Sequence, residues 1–195
     1  MRNCRPRNAQ RSARNAPVRV PRLASRVPPV ISLRLDDLAF VTAEAFAWPV
    51  SAELHAPTPV LRRFELAGGP ALAKQLAALA PLPVGSAVVS GAGELGAEFL
   101  ISAVVSSDEE PVTRAGVRRA LTSALQRAAD WQITHLAIPP FGLGAGNLDI
   151  DESADIMIDS IAQHVARAPF PSAITIVLES PIEEEAFASR LARAS

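Results

Sequence analysis

From Val30 onward, short apolar runs of strand length alternate with longer segments whose apolar residues recur at helical spacing. Pro- and Gly-containing junctions separate them, and 49% of the 195 residues are hydrophobic, enough for a sizeable core. These observations predict an α/β fold, a three-layer α/β/α sandwich with helices on both faces of a mixed, mainly parallel central sheet. The expected organisation is one domain over residues 30–195, preceded by a disordered Arg-rich tail over residues 1–29.

The elements follow in order. Val30–Leu35 reads as a mostly alternating strand that ends on the acidic pair Asp36-Asp37. Ala45–Trp48 is a second apolar run, expected to end at Pro49. A short helical piece is expected at Leu61–Leu66, and a helix at Ala71–Ala80, stopped by Pro81 and Pro83. Val84–Val89 and Phe99–Val105 read as strands separated by the glycine-rich turn 91–96. Pro111–Asp130 reads as a helix with Pro at its start and Val117, Ala120, Leu121, Ala124, Leu125 and Ala128 on one side. Ile133–Pro139 is a strand. Ile150–Arg167 is an amphipathic helix opened by a capping box, Asp149 with Glu152. Ala173–Leu178 reads as a buried strand and Ile182–Ala192 as a closing helix, with Glu183, Glu184 and Glu185 complementing its dipole.

The formal net charge of −1 conceals a split. Residues 1–29 hold eight arginines and no acid, which leaves 11 basic groups against 20 acidic ones in the rest, a net −9. An acidic body is a poor phosphate-backbone binder, so nucleic acid is not expected as its partner, whereas the basic tail has the charge for it. The tail has no periodic apolar face and no apolar stretch of secretory-signal length, though an Arg-rich, acid-free leader also resembles an organelle transit peptide. One cysteine, Cys4, rules out an intramolecular disulfide and a Cys-based metal site. His55, His135 and His164 are scattered, so no metal and no cofactor are expected. No apolar stretch approaches the ~18 residues of a membrane span. A cytoplasmic location is the expectation.

Open α/β sheets bind ligands beyond the carboxyl ends of their strands. Two segments hold that position. In Pro139–Asp149 the glycines Gly142, Gly144 and Gly146 alternate between a buried strand and a capped helix. Such a loop can turn successive backbone N–H groups inward around an anion, at a helix end of partial positive charge. It needs no lysine, and Lys74 is the only one in the chain. The alternative is a tight crossover whose glycines merely permit close packing. The loop is neither a P-loop nor a dinucleotide fingerprint. The second segment is Asp36-Asp37, where a carboxylate can accept from an exocyclic amine or backbone N–H. From spacing alone, an exposed acidic turn is the simpler reading. Of the histidines, His135 reads as a hydrogen-bonded strand residue, His164 as solvated on a helix flank, and His55 as the one base near the far end of the cleft. Trp131 is expected to pack against the sheet.

The order of elements, with Leu-Ala-Ile-Pro-Pro-Phe-Gly-Leu-Gly-Ala-Gly-Asn-Leu-Asp at 136–149, resembles the second ligand loop of macrodomains, modules that bind ADP-ribose. Residues 83–89 and 95–104 are similar to the family's paired middle strands, with Ser102 where His is usual. Residues 67–72 resemble its Ala-Gly-Pro helix entry. Leu35-Asp36-Asp37-Leu38 resembles the strand end Gly-Asp-Ile, which puts Asp37 on the aspartate that meets the adenine amine. The resemblance spans about residues 30–193. It implies a ligand site made of Asp37, Leu38, Gly142, Leu143, Gly144, Ala145, Gly146 and Asn147. It also implies departures: Trp48-Pro49-Val50-Ser51 stands where the family has Asn-Ala-Ala-Asn, and Leu61 falls in the segment where hydrolytic members carry Asp in a glycine run. Trp48 supplies no amide carbonyl and Leu61 no base.

Three functions follow from the resemblance. The first is a binder of ADP-ribose, a related nucleotide or an ADP-ribosylated protein, with the diphosphate on backbone amides of the Gly142–Asn147 loop. The second is an ADP-ribosyl or O-acetyl-ADP-ribose hydrolase with a rearranged site, which leaves enzymatic activity open. The third is a degenerate structural or protein-interaction module, with Trp48 and Pro49 filling the cleft.

Overall fold

The computed structural model describes residues 30–144 and 148–194. The segment 1–29 and the loop residues Ala145, Gly146 and Asn147, on which expectations were placed above, lie outside the described residues.

Six strands, β1 (Val30–Leu35), β2 (Ala45–Ser51), β3 (Ala87–Gly91), β4 (Phe99–Ser106), β5 (His135–Ile138) and β6 (Ala173–Leu178), form one sheet in the order β1-β6-β5-β2-β4-β3. Every neighbouring pair is parallel except β3 and β4. Helices α1 (Pro59–Ala67) and α2 (Gly69–Leu79) cover one face, where Leu61, Phe64, Leu72 and Leu76 join Phe46, Trp48, Leu100 and Val104 in a buried cluster. On the other face α3 (Arg114–Asp130), α4 (Ile150–Val165) and α5 (Pro181–Ala194) enclose the larger cluster around Ile101, Leu121, Ile138, Met157 and Phe187. The architecture is the expected three-layer α/β/α sandwich.

Boundaries moved where capping and turn chemistry outweighed apolar pattern. The long helix starts at Arg114 because the Thr113 hydroxyl accepts from the Gly116 N–H at 3.0 Å, a cap worth about 1 kcal/mol. Helix α1 instead begins earlier than expected, at Pro59, behind the Thr58 cap. Strand β3 starts only at Ala87, since Ser86 N–H closes a turn on Pro83 O and Gly85 adopts φ +92°. Pro49 does not end β2. The strand continues to Ser51 against β4, because β5 has already stopped at Ile138 and flanks β2 only as far as Phe46. The capping box forms as expected: Asp149 Oδ1 accepts from the Glu152 N–H at 2.7 Å, and Glu152 reaches back to the Asp149 N–H. Helix α4 ends at Val165, two residues short of the expected end.

Candidate functional site

Strands β1, β6 and β5 end side by side, and their carboxyl ends open on a cleft of about 290 Å³. Asp37 and Leu38 follow β1; Pro139, Pro140, Leu143 and Gly144 follow β5; Val177 and Glu179 mark the end of β6. The opposite wall is the start of α1, from Thr58 to Leu61 with Phe64, while Glu183 of α5 closes the side. The fold therefore brings Asp37, Leu38, Leu143 and Gly144 to one cavity.

At the β1 end, Asp37 Oδ1 accepts from the Ala39 N–H at 2.9 Å and so caps the 3-10 turn Leu38–Phe40. This fixes the carboxylate in place and buries Leu38. Asp36 turns outward. Its carboxyl sits below the ordinary aspartate range because Arg34 donates to it, aided by the Asp37 N–H.

At the β5 end, the buried Phe141 anchors the crossover. Its N–H donates to Met157 Sδ at 3.1 Å, and its carbonyl accepts from the Ser153 hydroxyl at 2.7 Å. The Gly142 carbonyl accepts from the Leu148 N–H at 3.0 Å, closing the base of the loop. Gly142 (φ +83°) and Gly144 (φ +124°) are both in the left-handed half of backbone space, which a side chain would strain. Among the described residues, none accepts from the N–H of Gly142, Leu143 or Gly144.

Two further charged residues meet here, Glu179 in the cavity lining and Arg63 outside it. Glu179 lies one position beyond β6, where the strand-end rule that singles out Asp37 applies equally. Arg63 reaches the same place from α1: its Nη2 is 3.2 Å from Glu179 Oε2 and 3.6 Å from Asp37 Oδ2. Burial raises the Glu179 carboxyl above the ordinary glutamate range. Arg63 opposes the shift, while Asp37 and Glu183 add to it. Among the described residues that line the cleft, the ionisable ones are Asp37, Glu179 and Glu183, all acidic.

Several expectations are corrected. Trp48 does not fill the cleft. It is fully buried beneath it, stacked obliquely on Phe64 at 5.5 Å, with its indole N–H on Ser102 Oγ. His55 is no cleft base; its Nδ1 lies 3.1 Å from Glu65 Oε1, away from the cavity lining. His164 is not simply solvated, for its Nε2 is bonded to the Phe170 carbonyl at 2.8 Å in a half-buried position. His135 does sit in a polar row across the sheet, through Thr175 Oγ1 to Ser32. Trp131 rests edge-on against Phe99 of β4, 40% exposed. No group of three or more metal-ligating side chains occurs among the described residues. No helix among them is long and apolar enough to cross a membrane.

Known proteins share this fold. The family model of the Macro domain matches residues 49–157. A protein of Aeropyrum pernix is 30% identical over 161 residues, covering 81% of this chain and 82% of its own length. A Mycobacterium tuberculosis protein is 30% identical over 98 residues, half of this chain but only 27% of that longer protein. Among solved structures, the Oceanobacillus iheyensis macrodomain with ADP superimposes with TM-score 0.77 at 17% identity, over 86% of this chain and 93% of that one. The Trypanosoma brucei macrodomain in complex with ADP-ribose gives 0.73 at 12% identity, over 82% and 68%. The family model takes in more than half of the sequence, and the fold agrees with that of a solved macrodomain over 86% of the chain: this chain belongs to the Macro domain family.

Proposed function

We propose that the cleft binds ADP-ribose or a related nucleotide, free or attached to an ADP-ribosylated protein. The base lies at Asp37 and Leu38, and the diphosphate is held by backbone amides of the loop that begins at Gly142. The observation that carries this reading is one open cavity joining Asp37 to Leu143 and Gly144, with no cationic side chain among the described residues that line it. Macrodomain neighbours solved with ADP and ADP-ribose support it by fold. Binding is favoured over a purely structural role because Trp48 lies below the cavity. It is favoured over hydrolysis because Leu61 adds only an apolar wall and His55 is turned to Glu65. A cytoplasmic setting belongs to the same proposal; a chain with one cysteine needs no oxidising compartment.

The test is calorimetric titration of ADP-ribose into the full chain and into Gly144→Val. The wild type should bind saturably, and the variant, still folded as its cooperative unfolding transition would show, at least tenfold more weakly. A wild type that does not bind, or a variant that binds equally well, overturns the proposal.

A further inference from the structure

Three carboxylates line a cavity assigned to an anionic ligand, and their arrangement needs a reason. Two of them, Asp37 and Glu179, project from the ends of neighbouring strands β1 and β6. Both come within 3.6 Å of one guanidinium nitrogen of Arg63, whose side chain is 60% exposed on the solvent side. Glu179 gives Oε2 to Arg63, and among the described residues nothing occupies its Oε1. The backbone N–H of Glu179 is in turn held by Glu183 Oε2 at 2.9 Å, so the residue is fixed at both ends. The apolar side chains of Leu38 and Val177 stand beside these two carboxylates. The same cavity thus offers apolar side chains and two charged acceptors.

Two adjacent acceptors suit a group with two N–H donors. An exocyclic amine satisfies both, whereas a carbonyl in its place points lone pairs at two negative charges. Resting on the nucleotide-binding reading above, we propose that Glu179 is a second determinant of base choice beside Asp37, and that Arg63 is the positioning residue that holds the two carboxylates as a pair. The site then selects a nucleobase bearing an amine over one bearing a carbonyl at the same ring position. Arg63 offsets part of the repulsion between the two carboxylates without entering the cavity, which keeps both of them available as acceptors.

ADP and IDP differ at that ring position and share the diphosphate, so the ratio of their affinities isolates base choice from phosphate binding. Both are titrated into the full-length wild type, Glu179→Gln, Arg63→Ala and Arg63→Lys, with melting temperatures as the control for folding. The wild type should favour ADP at least tenfold. Glu179→Gln should shrink the ratio threefold or more, chiefly by weakening ADP. Arg63→Ala should shrink it too, and Arg63→Lys should restore part of it. Equal affinities in the wild type, or a ratio unmoved in Glu179→Gln, overturn the inference while leaving nucleotide binding in place. A ratio unmoved in Arg63→Ala overturns the role of Arg63. A wild type that binds neither nucleotide sinks the underlying reading instead.

Discussion

Trp48 and Ser102 are register partners on β2 and β4, and the indole N–H donates to the serine hydroxyl at 2.9 Å with both residues closed to solvent. The two residues thus complement each other: a large indole at one position requires an acceptor at the other. Ser102→Ala leaves a buried N–H without its partner and should cost about 1–3 kcal/mol. Trp48→Phe in the same background removes the orphaned donor, so the double variant should lose less than the two single losses combined. Chemical denaturation of the three variants measures this coupling.

Gly142 carries a different constraint. A Cβ there would lie 2.9 Å from both Leu148 Cδ1 and Val117 Cγ2, on a backbone with φ +83°. Gly142→Ala should therefore destabilise the fold by about 1–3 kcal/mol and displace the loop. Gly144→Val differs, because its expected loss is in ligand binding. Both positions have a positive φ that a side chain strains, so a larger shift in urea midpoint for the first, and for the second a loss of ADP-ribose affinity out of proportion to its shift, would separate anchor from ligand contact.

The pH dependence of base choice follows from Glu179. Its carboxyl titrates above the ordinary glutamate range, raised by burial, with Arg63 of α1 pulling down and Asp37 and Glu183 pushing up. As the pH falls from neutral, Glu179 takes up its proton before an ordinary glutamate does and ceases to be a charged acceptor. The ADP-to-IDP affinity ratio should fall over that range, and the fall should be absent in Glu179→Gln. Diphosphate affinity common to both nucleotides moves the other way, since a negative wall charge is lost. Titrations at a series of pH values read the two effects separately.

Arg190 ties α5 to α4 by donating to both Asp155, at 2.7 Å, and Asp159. The arginine is largely buried and its partners are half-exposed, so Arg190→Met should cost about 1 kcal/mol. Because α5 carries Glu183 to the cleft, the same variant should loosen Glu179 indirectly. A reduced ADP-to-IDP ratio larger than the small stability loss predicts would reveal that link.

Much of this molecule was legible along the chain. Alternating strand and helix periods announce the α/β sandwich, and Asp149 with Glu152 announces the start of α4. The strand-end rule points to the Asp36-Asp37 pair and to the 139–149 loop, the resemblance picks Asp37 from the pair, and the fold brings Asp37 and Gly144 to one cavity. The boundary errors at Pro49, Val84 and Pro111 arose where a neighbouring strand, a turn or a cap decided the outcome, none of which apolar pattern reveals.

By itself the amino-acid order determined the architecture, the acidic character of the body and the residues at the ends of β1 and β5, because these depend on local periodicity and on the sequence of elements. Only the tertiary structure decided that Trp48 lies under the cleft, that His55 turns to Glu65, and that Arg63 clasps carboxylates 26 and 116 positions away in the chain. Side-chain direction and long-range pairing are set by packing between layers, which has no period along the chain to betray it.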